Sequence, residues 1–424
     1  MKYRSITYII CIFLVFIQPI TRIAKAEDFD IPCIGESSNS GKKVGGFICL
    51  MGILGSPFSF GATTALCGGA MIVGAASDDQ SKRCATKVKV FYATDRDYTS
   101  SHSPKEKYGI NRSEMTYGTC DVNIPYKHDI GEIESPFWKQ NEDPKKHFVL
   151  LNVDRKEKKI FFDELAARTR HLDNNDAFVF IHGYNSSFED AAKRTAQIAY
   201  DLRFSGAPIF YSWHSKAEPE KYSADAESVR LTETNLKLFL KEIISKEDLD
   251  EIYVIAHSMG ARALTRAFGE LARENISGIQ KVSEIILAAP DINVDIFREQ
   301  IAPHFISSTH ITLYASKNDK ALELARRYND SEPRLGDISE DYNEPYIFPG
   351  IESIDASLVD TTFFGHSYYG EKPVLQDICR LYRHNLRAHE RVGKNGTLNE
   401  VKANGDKRYW RFKNMEELKG KICS

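Results

Sequence analysis

Charge of one sign is what this sequence lacks. Its 56 Lys and Arg stand against 59 Asp and Glu, a net charge of −3. The two signs are interspersed, so neither a nucleic-acid footprint nor a polybasic membrane patch is present. The histidines do not fall into ligand spacings with cysteines or carboxylates, so no metal site is legible. "SGKKVGG" near residue 40 lacks the spacing and the preceding strand of a phosphate loop. Long linkers, internal repeats and low-complexity tracts are missing too. With 42% hydrophobic and 27% charged residues, what remains is an ordinary globular protein, long enough for one large core or two smaller ones.

The N-terminus speaks to location. Lys2 and Arg4 precede an apolar run from Ile9 to Ile17, and Ala24-Lys25-Ala26 closes the stretch before two acidic residues. A basic start, a short apolar core and an A-x-A site make residues 1–26 a signal peptide, so the protein is expected to be exported. Cleavage removes one of eight cysteines. In an oxidising compartment Cys33, Cys49, Cys67 and Cys84 suggest two disulfides, and Cys379 with Cys423 a third. Cys120 alternates with apolar residues in "YGTCDVNIP" and reads as a buried thiol. Residues 27–85 are rich in Cys and Gly, and from Val44 to Ser77 they carry no charge at all. Two readings of residues 44–77 stay open: a disulfide-stapled appendage, or contact with a membrane.

From residue 86 strand-like and helix-like segments alternate. "KVKVFYAT", "TYGTCDVNIP" and "HFVLLNVD" read as strands, and "DAFVFIHG" is followed by the helical "SFEDAAKRTAQIAYDLRF". "APIFYSW" precedes one long helix, "DAESVRLTETNLKLFLKEIISK", and "EIYVIAHS" leads into "MGARALTRAFGELAREN". "SEIILAAPD" and "HITLYASKND" follow. Repeated β-then-α order predicts an α/β fold, a mostly parallel sheet with helices on both faces, in one domain over residues 86–424.

Functional groups in such a sheet collect at the carboxyl ends of strands. Ser258 stands there, with the small residues Ala256 and Gly260 two places away on either side, as a strand-to-helix nucleophile turn requires. Asp319 and His366 follow in the order that this sheet type uses for a Ser-acid-His triad. Asp291, ending the preceding strand, is the alternative acid; whichever is unused caps the next helix. "FIHGYNSSFED" supplies a turn whose Tyr184 or Asn185 N–H can pair with that of Met259 to bind an oxyanion, with Ser187 and Asp190 as a helix-starting box. His182 and His257 read as structural histidines in these turns.

Taken together, "FYATDRD", "YGTCDVNIP", "HGYNSSFEDAAKRTAQIAYDL", "YSWHS", "AHSMGARAL", "LAAPDI", "YASKNDKAL", "RLGD" and "FGHSYY" resemble a bacterial α/β-hydrolase family of unknown function in the esterase/lipase superfamily, over roughly residues 86–375. The resemblance implies an α/β-hydrolase fold with Ser258, Asp319 and His366 as triad, and it supplies no substrate. The chain departs at His214, near which proline is usual, and a reshaped pocket rim is expected there. The reading is an exported serine hydrolase that takes a small-molecule or lipid ester and needs no cofactor. An acyltransferase with the same groups, or a non-catalytic envelope-associated binding module on this scaffold, are the alternatives.

Overall fold

The computed structural model describes residues 85–136, 141–170, 175–306, 309–341, 343–359 and 370–414. The leader, residues 27–84 with their four cysteines, His366 and Cys423 lie outside the described residues. Eleven strands are found among those described: β1 (Thr86–Tyr98), β2 (Tyr108–Ile124), β3 (Val149–Lys156), β4 (Ala177–Ile181), β5 (Ala207–Ser212), β6 (Ile252–His257), β7 (Val282–Ala288), β8 (His310–Ala315), β9 (Ile351–Asp355), β10 (Leu398–Lys402) and β11 (Arg408–Phe412). They make one sheet in the order β10-β11-β9-β8-β7-β6-β4-β5-β1-β2-β3. Pairing is parallel from β11 through to β1 and antiparallel for β1–β2, β2–β3 and β10–β11. Among the described residues β3 and β10 form the two edges.

The helices are α1 (Lys158–Arg170), α2 (Phe188–Asp201), α3 (Tyr222–Leu231), α4 (Glu233–Ile244), α5 (Gly260–Arg273), the short α6 (Val294–Ile296) and α7 (Ala302–Phe305), α8 (Lys320–Tyr328) and α9 (Lys372–His384). Side chains alternate across a strand, and here both directions are apolar. Val179, Ile209, Val254 and Leu287 point into a core with α1, α3, α4 and α5. Their neighbours Phe178, Phe210, Ile255 and Ile286 point into a second core with α2 and α9. Burial on both faces is why these strands read as continuous hydrophobic runs rather than alternating ones.

The helix expected over residues 225–246 is two, interrupted at Thr232. That hydroxyl is drawn into the sheet, donating to Asp95 Oδ2 at 2.5 Å and meeting Tyr211 Oη at 2.7 Å. The C-terminal stretch completes the sheet. Asp377 of α9 accepts from Tyr314 of β8 at 2.7 Å and also binds Arg391 and Thr397, all buried. Cys120 is a buried free thiol, as its setting in β2 predicts. Among the described residues no helix is long and apolar enough to cross a membrane.

Candidate active site

β6 ends and α5 begins around Ser258, whose φ of 51° lies in the left-handed region that a side-chain-bearing residue rarely adopts. Three backbone bonds hold the turn: Ser258 N–H donates to Ala288 O at 2.9 Å, and Asp291 N–H and Ala261 N–H each donate to Ser258 O at 3.1 Å. Residue 260 must be glycine for a steric reason, since a Cβ there would lie 2.3 Å from His182 O and 2.9 Å from Ile181 O. Ala256 is fully buried between Ile181 and Leu287 in the neighbouring strands. This is the close strand–helix approach that the small-x-Ser-x-Gly spacing implies. Met259 sits at the start of α5, where free N–H groups and the helix dipole favour a developing anion.

The turn after β4 lies against this elbow. A Cβ on Gly183 would fall 2.9 Å from both Ser258 Cβ and His257 Nδ1. Gly183→Ala must therefore push the turn away from the serine, and we expect soluble protein with strongly reduced reactivity towards an active-site serine probe. Gly260→Ala meets backbone rather than side chain and should instead lower the folded yield. Expression and probe labelling of the two variants, side by side, check both outcomes.

His182 stacks on Trp213 at 5.0 Å, with ring nitrogens on Gly183 O at 2.7 Å and Ser212 Oγ at 3.2 Å. Burial, then the nearby Arg96 charge, pushes its pKa down to about 3, so the ring stays neutral and structural. Ser187 and Asp190 form a reciprocal capping box that starts α2. Asn185, at φ 51°, gives its N–H to Asp225 Oδ2 at 3.0 Å. Tyr184 remains as the donor of this turn that can serve an oxyanion. Its ring packs 5.5 Å from that of Tyr222.

Two residues that hold this turn carry no assigned role in the sequence reading. Arg96 is buried and donates to Ser186 O (2.7 Å), Ser215 O (2.9 Å), Gly109 O (3.1 Å) and Ser212 Oγ (2.8 Å). Burial lowers its pKa to about 10, yet it stays charged at neutral pH. Asp225, through Asn185, Ser215 and Lys216, ties the same turn to the loop after β5. The signal for Arg96 in the sequence is its place in "FYATDRD", one of the stretches that carry the family resemblance. His214 is buried against Asp95 at 3.1 Å. The departure from the family pattern therefore sits in the core and not on a pocket rim.

The two candidate acids differ sharply in their surroundings. Asp319 ends the loop after β8 and caps α8, its Oδ1 accepting from Ala321 N (3.1 Å) and Leu322 N (2.9 Å). Asp291 is buried in an ionic cluster: Oδ2 accepts from Arg262 Nη2 and Tyr222 Oη, both at 2.7 Å, and Arg334 Nε stands 3.6 Å from Oδ1. Burial alone would raise its pKa, but the guanidinium charges outweigh this and hold it below the ordinary value. Ser258 is set back at 2% exposure, and its hydroxyl makes no hydrogen bond among the described residues. The neighbouring His257, His182 and Tyr184 line a cavity of about 720 Å³, together with Lys193, Arg194 and Lys320.

One wall of that cavity, at Ile133 and Ser135, belongs to a loop fastened by His128. The imidazole lies between Glu134 (3.0 Å) and Asp201 (2.9 Å), and Asp201 also takes the Gly131 N–H at 2.8 Å. Burial opposes the charge on His128, yet the two carboxylates outweigh it and raise the pKa to about 9. A raised folded-state pKa gives stability that is complete below the unfolded value of about 6.5 and lost as pH rises through about 9. We expect unfolding free energy to fall by up to about 3 kcal/mol across that window. His128→Gln should flatten the dependence, measured as denaturation midpoints against pH.

Residues 157–384 match the family described as alpha/beta hydrolase of unknown function (DUF900). No curated protein matches the chain. Solved structures with detectable likeness include a YdeN-like hydrolase from Pectobacterium atrosepticum (17% identity over 41% of this chain and 83% of that one, TM-score 0.23). The esterase of Pyrobaculum calidifontis is similar at 14% identity over 50% of this chain and 77% of that one, with a TM-score of 0.30. A CIB-like hydrolase from Thermoplasma acidophilum stands at 14%, 50% and 88%, with a TM-score of 0.28.

Proposed function

The chain belongs to this family of α/β-hydrolases of unknown function, and from that premise we propose that it is an exported serine hydrolase acting on carboxylic esters. The observation that carries the reading is Ser258: a hydroxyl on a left-handed turn between a buried strand and the N-terminus of α5, where an ordinary helix cap has no need of backbone strain. His366 takes the Ser258 proton as Oγ attacks the acyl carbon, and the N–H groups of Met259 and Tyr184 receive the oxyanion. The tetrahedral intermediate collapses, the alcohol leaves with the proton from His366, and an acyl-enzyme forms. Water, deprotonated by the same histidine, then releases the acid. Asp319 holds the imidazole in the required tautomer. Export, and disulfides among Cys33, Cys49, Cys67 and Cys84 and between Cys379 and Cys423, complete the proposal on the strength of the sequence. Labelling of the intact protein by a fluorophosphonate probe, with Ser258→Ala as control, is the direct test: equal labelling of both proteins would overturn it.

A further inference from the structure

A second cavity, of about 420 Å³, lies against α5 and shares no lining residue with the first. Its size falls within the roughly 300–1,000 Å³ of small-molecule sites. Ile292, Ile296 and Ile301 line it together with Arg230, Arg262, Arg266 and Arg334. The "RLGD" stretch that the function leaves unused thus delivers Arg334 into this cavity.

Arg334 is the unusual member. Its side chain is 5% exposed, yet its guanidinium makes no hydrogen bond among the described residues; the nearest carboxylate oxygen, Asp291 Oδ1, is 3.6 Å from Nε. A buried guanidinium with its donors unmet is costly, and native structures seldom leave one so. Asp291 meets Arg262 fully and Arg334 only at a distance. Arg266 reaches Glu233 no closer than 3.6 Å, and Arg230 has no ion pair among the described residues. The acids of the rim compete weakly for these cations. Glu332 holds the Asn293 amide at 3.0 Å, and burial pushes the Glu233 carboxyl up to about 7, half neutral at physiological pH. Asp330 is exposed.

We propose that this cavity binds a small amphiphilic anion, an oxyanion head group on a short alkyl chain, with Arg334 and Arg230 holding the head and Ile292, Ile296 and Ile301 covering the chain. A guanidinium fork suits carboxylate and phosphate oxygens alike, so head groups from either source share the chemistry. The inference stands apart from the ester-hydrolase reading, and its test is a binding measurement on the full chain carrying Ser258→Ala.

Titration calorimetry with hexanoate, hexyl phosphate and hexanol separates the cases. Saturable binding of either anion, with none of hexanol, is expected, and the tighter of the two anions identifies the head group. Arg230→Gln should weaken that binding about tenfold. Arg334→Met should abolish it, and because this buried change can also disturb folding, Glu233→Gln provides the opposite sign: removal of a competing carboxylate should tighten binding several-fold, which no loss of structure produces. Lys320→Gln, on the first cavity, should change nothing. Binding of hexanol as strong as that of the anions, no binding of any of the three, or loss of binding in Lys320→Gln with Arg230→Gln unaffected, would each overturn the proposal.

Discussion

Ser258→Ala should reduce ester hydrolysis by about 10⁶-fold, the usual consequence of removing a triad nucleophile, while the melting temperature stays within a degree or two of the parent's. The second half of that expectation comes from the geometry. The hydroxyl makes no hydrogen bond among the described residues, so its loss leaves no donor or acceptor stranded. Alanine also eases nothing and worsens nothing at φ 51°, because both residues carry a Cβ. A variant that keeps more than a few per cent of parental turnover on a chromogenic ester, or that unfolds, would sink the nucleophile assignment.

The two acids should separate by the quantity each one changes. Asp319→Asn is expected to lower kcat by about 10³–10⁴-fold through loss of the carboxylate that orients the histidine. Its stability should barely move, because asparagine caps a helix as well as aspartate does and can still accept from Ala321 and Leu322. Asp291→Asn should do the reverse. It leaves Arg262 and Arg334 facing a neutral amide in a buried cluster, and breaking such a pair costs about 3–5 kcal/mol. Kinetics and denaturant midpoints on both variants decide the matter: a collapse of kcat in Asp291→Asn at unchanged stability would move the triad acid to the end of β7.

The central sheet was legible because double-sided burial leaves its mark on every position of a strand, and the elbow because Gly260 and Ala256 answer a steric demand that sequence spacing can display. What escaped reading has a common cause. Arg96 acts on carbonyl oxygens of Ser186, Ser215 and Gly109, and a backbone carbonyl has no residue type by which it can be foreseen. Asp291 and Asp319 are alike by position, and the pairing of Asp291 with Arg262, Tyr222 and Arg334 that makes their surroundings differ leaves no mark in the sequence. Thr232 sits in a well-formed helical pattern, and the break there depends on Asp95, more than a hundred residues earlier. β10 and β11 were hidden for another reason. "LNEVK" and "RYWRF" are only partly buried and carry charged residues among their apolar ones, too polar for the apolar-run signal that marks the central strands.

The outer strands bear on how the protein behaves in a crowd of its own copies. A wide sheet ends in two rows of unpaired amides, and each row is a template on which a neighbour could grow a fibril. At one end β10 presents Asn399, Glu400 and Lys402 to solvent; at the other β3 presents Asn152, Asp154 and Arg155, with Lys156 bonded back to Asp154 at 2.7 Å. A strand arriving from another molecule would have to strip water from charges of both signs before gaining its first ladder bond. Among the described residues the sheet therefore runs eleven strands wide with charge on both of its outer strands.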